Sequence, residues 1–158
     1  MIISKDRITT TEVQSWTGLH LLHSQGSSCS QKVRILLGEL NQPWTAHAIN
    51  LRKQENSSRW YLGINPHGVV PALVDNGTVH VESNDILAYL DQNYATENRF
   101  FFKQDCIEAS EAKALLDLEK SLHIELRILT IQFGPVKLKS ENEIDEKEQN
   151  GDKERQSY

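Results

Sequence analysis

The chain has 158 residues and a formal charge of −5, with 38% hydrophobic and 25% charged residues. Its length suits one ordinary domain, or one domain and part of a second. No stretch of 18 apolar residues occurs, which excludes a membrane-spanning helix, and apart from the last twenty residues 13 basic and 15 acidic side chains nearly cancel, which argues against a nucleic-acid footprint.

The N-terminus has neither the apolar stretch nor the small-residue cleavage site of a signal peptide. A cytoplasmic protein is expected, with residues 1–18 as a loose extension. Leu19 to His23 reads as a short buried strand, followed by the polar loop Gln25-Gly26-Ser27-Ser28-Cys29-Ser30. Val33, Leu36, Leu37 and Leu40 then recur at helical spacing. Ser28 and Gln31 have the spacing of a capping box, which predicts that this helix starts at Ser28. Asn41-Gln42-Pro43 stops it, and Trp44 to Leu51 reads as a second strand. Ser57 to Gly63 is a helical turn closed by Asn65-Pro66-His67-Gly68.

Val69 to Val74 is the third expected strand, and Asn76-Gly77 is a strong hairpin signal leading into a fourth, Thr78 to Val81. A helix follows with Ile86, Leu87, Leu90 and Tyr94 on one face and Ser83 as its natural N-cap. The order is β-α-β-α-β-β-α. Strands joined through a helix should be parallel and the hairpin antiparallel. The expectation is an α/β fold, a thioredoxin-like four-stranded mixed sheet with flanking helices, over residues 19–97.

Phe100-Phe101-Phe102 is an apolar knot in a connection. Asp105 to Ile131 holds neither Gly nor Pro, and its leucines recur every three or four positions. One helix of 27 residues is expected there, about 40 Å long, ended by Gly134-Pro135. It would open an all-α region spanning 98–138. Residues 139–158 carry seven acidic and four basic side chains, and are expected to be disordered.

Two cysteines, Cys29 and Cys106, form neither a disulfide framework nor a metal-ligand spacing. His20 and His23 lack the further ligands that would complete a zinc site, so no metal is expected. Three features do converge in a thioredoxin-like sheet: the SSCS loop, the Val70-Pro71 bond, and the Glu82-Ser83 pair opening a helix. Helix N-termini offer unpaired N–H groups and a positive dipole end, which favour carboxylates and thiolates. Ser28 and Ser83 could equally be ordinary caps, Cys29 a small buried apolar side chain, and Arg34 a solvated residue of the first helix.

Ser27-Ser28-Cys29-Ser30-x-x-Val33-Arg34 resembles the active-site loop of zeta-class glutathione transferases. Asn65-Pro66-x-Gly68-x-Val70-Pro71-Ala72-Leu73, followed by Glu82-Ser83-x-x-Ile86-x-x-Tyr89-Leu90, resembles the glutathione-binding half of the whole superfamily. The zeta pattern is departed from within Gln31-Lys32, where an aromatic and then a basic residue are usual. The long helix is similar to the first helix of the family's second domain, and the chain is expected to be a partial transferase.

The resemblance implies the following roles. Ser27 would activate the glutathione thiol, with Ser28 and Cys29 beside it. Val70 would pair its backbone with the cysteinyl part, through a cis Val70-Pro71 bond. Glu82 would receive the glutamyl amine and Ser83 the glutamyl carboxylate. Arg52, Lys53 and His67 are candidates for the glycyl carboxylate. The implied function is glutathione transfer to a small electrophile by a cytoplasmic homodimer, as in detoxification. The alternatives are a glutathione-dependent isomerase and a non-catalytic glutathione-binding or dimerisation module. A thiol-disulfide oxidoreductase is weakened because Ser27-x-x-Ser30 stands where a Cys-x-x-Cys pair would be needed.

Overall fold

A computed structural model describes residues 1–96 and 107–133. The Phe100–Phe102 connection, Cys106, the Gly134-Pro135 stop and the charged tail lie outside the described residues. The elements are β1 (Leu19–His23), α1 (Ser28–Glu39), β2 (Trp44–Ala48), α2 (Arg59–Leu62), β3 (Ala72–Asp75), β4 (Thr78–Val81), α3 (Ser83–Tyr94) and α4 (Ile107–Phe133). The chain divides into two units, the first ending at Ala112 and the second beginning at Lys113.

The sheet has strand order β2-β1-β3-β4. β1 and β2 run parallel, as expected of strands joined through a helix. β3 is antiparallel to both β1 and β4, so the expectation of parallel strands fails between β2 and β3: the four-residue α2 that joins them is too short to carry the chain back to the far end of the sheet. The third strand begins at Ala72 rather than Val69, so Val69, Val70 and Pro71 remain outside the ladder. The second strand ends at Ala48, and a 3₁₀ turn over Leu51–Lys53 follows. Asn76 and Gly77 form the hairpin turn with φ of 45° and 79°. Their left-handed backbone matches the strand twist. A Cβ on Gly77 would also run into the Gln14 carbonyl. Gly77→Ala should therefore cost at least about 1–2 kcal/mol, read as a lower midpoint in urea.

Alternation along the strands builds two buried layers. Leu22, Ala72, Val74, Val79 and Val81 belong to one cluster with Tyr61, Ile64 and Ile49. The helical stripes are buried too: Val33, Leu36, Leu37 and Leu40 in and just after α1, and Ile86, Leu87 and Leu90 in α3. Each such side chain contributes about 1.5–3 kcal/mol when fully removed from water.

The first residues are not a loose extension. Ile3, Ile8 and Val13 are buried in the same cluster as Val74 and Val79. Ile2 bridges His80, Ile3 N–H donates to the Val79 carbonyl at 3.0 Å, and Val81 N–H donates to the Met1 carbonyl at 2.9 Å. This short segment covers the free edge of β4, where unpaired backbone groups would otherwise invite association. Its apolar residues are too widely spaced to read as a strand or helix, which is why periodicity misses it.

The histidines set an acid limit on stability. Burial first, then Arg34 and His47, pushes the pKa of His23 below the usual 6.5. Burial and His20 lower that of His47. Burial and the N-terminal ammonium lower that of His80 against the opposing pull of Asp75. The folded state thus prefers the neutral rings, and below pH 6.5 the unfolded chain binds more protons. Stability should be level above that pH and fall as the solution is acidified through it. Thermal melts from about pH 8 to about pH 5 check this; an unchanged midpoint would contradict it.

α4 is one uninterrupted helix of 27 residues, the length expected. Leu115, Leu118, Leu122, Leu126 and Leu129 recur along one side of it and are exposed. No helix among the described residues is long and apolar enough to cross a membrane.

Candidate functional site

The sheet register decides where the three sequence motifs go. Leu22 of β1 stands opposite Ala72 of β3, and Ala72 stands opposite Val81 of β4. The end of β1, the start of β3 and the end of β4 therefore share one end of the sheet. The SSCS loop leaves from the first, Val70-Pro71 enters the second, and Glu82-Ser83 leaves from the third. β2 ends there as well, since Ile49 N–H donates to the His23 carbonyl at 2.8 Å. Arg52 and Lys53 follow from that strand, and His67 sits in the exposed turn before Gly68.

At the first position the capping residue is Ser27, one residue earlier than the capping-box spacing suggests. Ser27 has an extended backbone, and its Oγ accepts from the Ser30 N–H at 3.2 Å. Ser28 is the first helical residue and exposed; Cys29 follows, half-buried. A hydroxyl oxygen that accepts an N–H still has its own O–H to donate. Ser27 can thus cap the helix and direct a proton at a ligand atom together.

At the second position the Val70-Pro71 bond is cis, as expected. The segment before it is fixed from below by side chains that a turn reading does not single out. Buried Tyr61 and buried Asn65 both donate to the Val69 carbonyl, at 2.7 and 2.8 Å. Asn56 donates to the Gly68 carbonyl at 2.7 Å. Burial pushes the Tyr61 hydroxyl pKa up, which keeps it a donor at any ordinary pH. Asn65 was legible as part of a turn and of the motif around Val70-Pro71, but not as an anchor, which its buried side chain is. Tyr61→Phe should cost about 0.5–1.5 kcal/mol of stability, because Asn65 still satisfies the Val69 carbonyl. A urea titration reads this directly.

At the third position Ser83 is not the N-cap. Glu82 takes that place, with φ 66° and ψ 111° and no side-chain capping bond, and Ser83 begins α3. A non-glycine residue held there stores about 1–3 kcal/mol of strain, which persists only where the surroundings impose it. Glu82 is exposed and Ser83 half-buried, so both side chains are reachable. Lys32 of α1 donates to Asn84 Oδ1 at 2.6 Å and ties the two helix starts together.

Elsewhere Asp75 accepts from the Tyr89 and Tyr94 hydroxyls, each at 2.6 Å. Burial and that carboxylate push Tyr94 up to about 12. The Tyr89 ring lies 3.8 Å from that of His80. This cluster joins α3 to the hairpin end of the sheet, away from the three motifs.

A β-α-β-α-β-β-α chain with this strand order, a cis X-Pro entering β3 and a polar loop before α1 is a thioredoxin-like domain. Residues 21–98 match the family described as Glutathione S-transferase, N-terminal domain. The zeta-class glutathione S-transferase of Euphorbia esula is 44% identical over 68 residues, which is 43% of this chain and 30% of that protein. The Protein URE2 of Candida albicans is 30% identical over 115 residues, 70% of this chain and 33% of that one. The matched segment thus spans about a third of these relatives. Among solved structures, a glutathione S-transferase-like protein of Lodderomyces elongisporus is 32% identical with TM-score 0.60, over 66% of this chain and 48% of that one. Human glutathione transferase theta-2, solved in complex with glutathione, is 27% identical with TM-score 0.61, over 66% and 42%.

Proposed function

We propose that this chain binds glutathione and activates its thiol for transfer to a small electrophile. The observation that carries the reading is the register, which gathers Ser27, Val70-Pro71 and Glu82-Ser83 at one end of the sheet. The tripeptide lies extended along Val70, its cysteinyl backbone pairing with backbone left outside the β3 ladder. Glu82 receives the glutamyl ammonium. Ser83 holds the glutamyl carboxylate with its hydroxyl and its N–H at the start of α3, where the helix dipole adds to the attraction. One of Arg52, Lys53 and His67 takes the glycyl carboxylate.

The Ser27 hydroxyl donates to the sulfur and lowers the thiol pKa by stabilising the thiolate. The proton leaves to solvent, and the thiolate attacks an electrophilic carbon, forming a C–S bond as the leaving group departs. Ser28 and Cys29 shape the same helix start. On this reading the protein works in the cytoplasm as a homodimer, as the family resemblance implies.

Calorimetry of the full chain with glutathione is expected to give one site per protomer. Ultraviolet titration of the complex is expected to show a thiol pKa below that of free glutathione. The absence of binding would sink the reading. A second reading is glutathione binding without transfer. It is favoured by the longer match to Protein URE2, a name that carries no transferase activity. Binding with a lowered thiol pKa but no turnover of a generic aryl halide would select it.

A further inference from the structure

The loop that presents Ser27 is held by the helix that follows it. Ser30 and Arg34 stand four residues apart on α1, and so share one face. The fully buried Ser30 Oγ accepts from the Ser24 N–H at 3.3 Å. Arg34 Nη1 donates to the Ser24 carbonyl at 3.1 Å and to His23 Nδ1 at 3.0 Å, while Nη2 reaches the Gln25 carbonyl at 3.5 Å. The Ser24 carbonyl also accepts from the Ser27 N–H at 3.2 Å. The guanidinium and the Ser27 amide therefore meet on one oxygen atom.

His23 completes the arrangement. Its Nδ1 accepts from a guanidinium, which has no acceptor to offer, so a neutral ring carries its proton on Nε2. Burial and the Arg34 charge keep that ring neutral by holding its pKa down. The ring is wedged edge-on against Trp44, with centroids 5.6 Å apart. Arg34 is thus fixed against a rigid strand end, and through it the backbone of residues 24 and 25 is fixed too.

We propose that Arg34 is a positioning residue for thiol activation: by holding the Ser24 and Gln25 carbonyls it sets the position of Ser27, without itself touching glutathione. The proposal rests on the reading of Ser27 given above. The planar guanidinium fork serves His23, Ser24 and Gln25 from one side chain. A lysine ammonium keeps the charge but is a point donor and cannot span the three.

The test uses two ligands and two variants of the full chain. S-methylglutathione has no thiol to ionise, so its affinity reports on the backbone, ammonium and carboxylate contacts of the tripeptide and not on thiolate stabilisation. The pKa of bound glutathione, followed by thiolate absorbance, reports on Ser27. Arg34→Ala is expected to leave S-methylglutathione affinity within about twofold while raising the bound thiol pKa by about one unit. Arg34→Lys, which keeps the charge and the aliphatic stem and so protects the fold, is expected to raise it by at least about half a unit.

A bound thiol pKa equal to the parent's in Arg34→Ala overturns the proposal. So does a parental value in Arg34→Lys, which would mean that charge acts rather than position. An equal loss of affinity for both ligands also overturns it, because the effect would then extend to the whole site. If the parent protein binds S-methylglutathione but leaves the thiol of glutathione at its free pKa, the reading of Ser27 fails first and the proposal falls with it.

Discussion

Ser27→Ala is expected to raise the pKa of bound glutathione by about one to two units, because a hydrogen bond to a charged group is worth about 1.5–3 kcal/mol and one unit is 1.36 kcal/mol. The thiolate fraction at neutral pH, and with it the rate of transfer, should fall accordingly. The same substitution removes the side-chain cap on the Ser30 N–H. That loss should lower stability by about 0.5–2 kcal/mol. Ser27→Asp separates the effects, since aspartate caps as well as serine but is acceptor-only and has no proton to donate to the sulfur. It should restore the midpoint in urea and leave the thiol pKa raised. Cys29→Ala should change the thiol pKa little. If Cys29→Ala abolishes activity and Ser27→Ala does not, the site works through a protein thiol and a mixed disulfide.

Ser83→Ala is expected to weaken glutathione binding by roughly ten- to a hundredfold, the equivalent of about 1.5–3 kcal/mol for a hydroxyl donor to a carboxylate. Because Glu82 and not Ser83 is the N-cap, the fold should hardly notice the change. Binding and stability therefore separate at this position, which they could not do if Ser83 were a cap. Calorimetry beside a urea titration checks both. Unchanged affinity in a folded Ser83→Ala protein would remove the glutamyl site. A marked loss of stability would instead mean that the hydroxyl serves the helix.

Much of the site was legible because its signals are local. A polar loop between an apolar strand and a helical stripe is visible around Ser27. A Val-Pro pair marks the entry to β3, and an acidic-Ser pair marks the start of α3. What stayed hidden depends on groups far apart in the chain. Asn65 reads as a turn residue, yet it is buried and bonded to the Val69 carbonyl. Arg34 reads as a solvated residue of an amphipathic helix, yet it clamps the loop ten residues upstream. Nothing in its spacing distinguishes a cation that bonds backbone carbonyls from one that faces water.

The amino-acid pattern by itself determined the order of elements, the parallel β1–β2 pair, the antiparallel hairpin and the buried faces of α1 and α3, but not the direction of β3 beside β1. These follow from period and turn chemistry, which act over a few residues. Only the tertiary structure decided which residue caps each helix, where β3 begins and what becomes of the first seventeen residues. The cap at Ser27 is set by an extended backbone against Ser24 and Ser30, and the one at Glu82 by a left-handed φ forced between β4 and α3. Ile3, Ile8 and Val13 are buried because the edge of β4 and the face beneath it were open to be covered. A vacancy of that kind exists only once the sheet has formed, so no local pattern in those residues announces it.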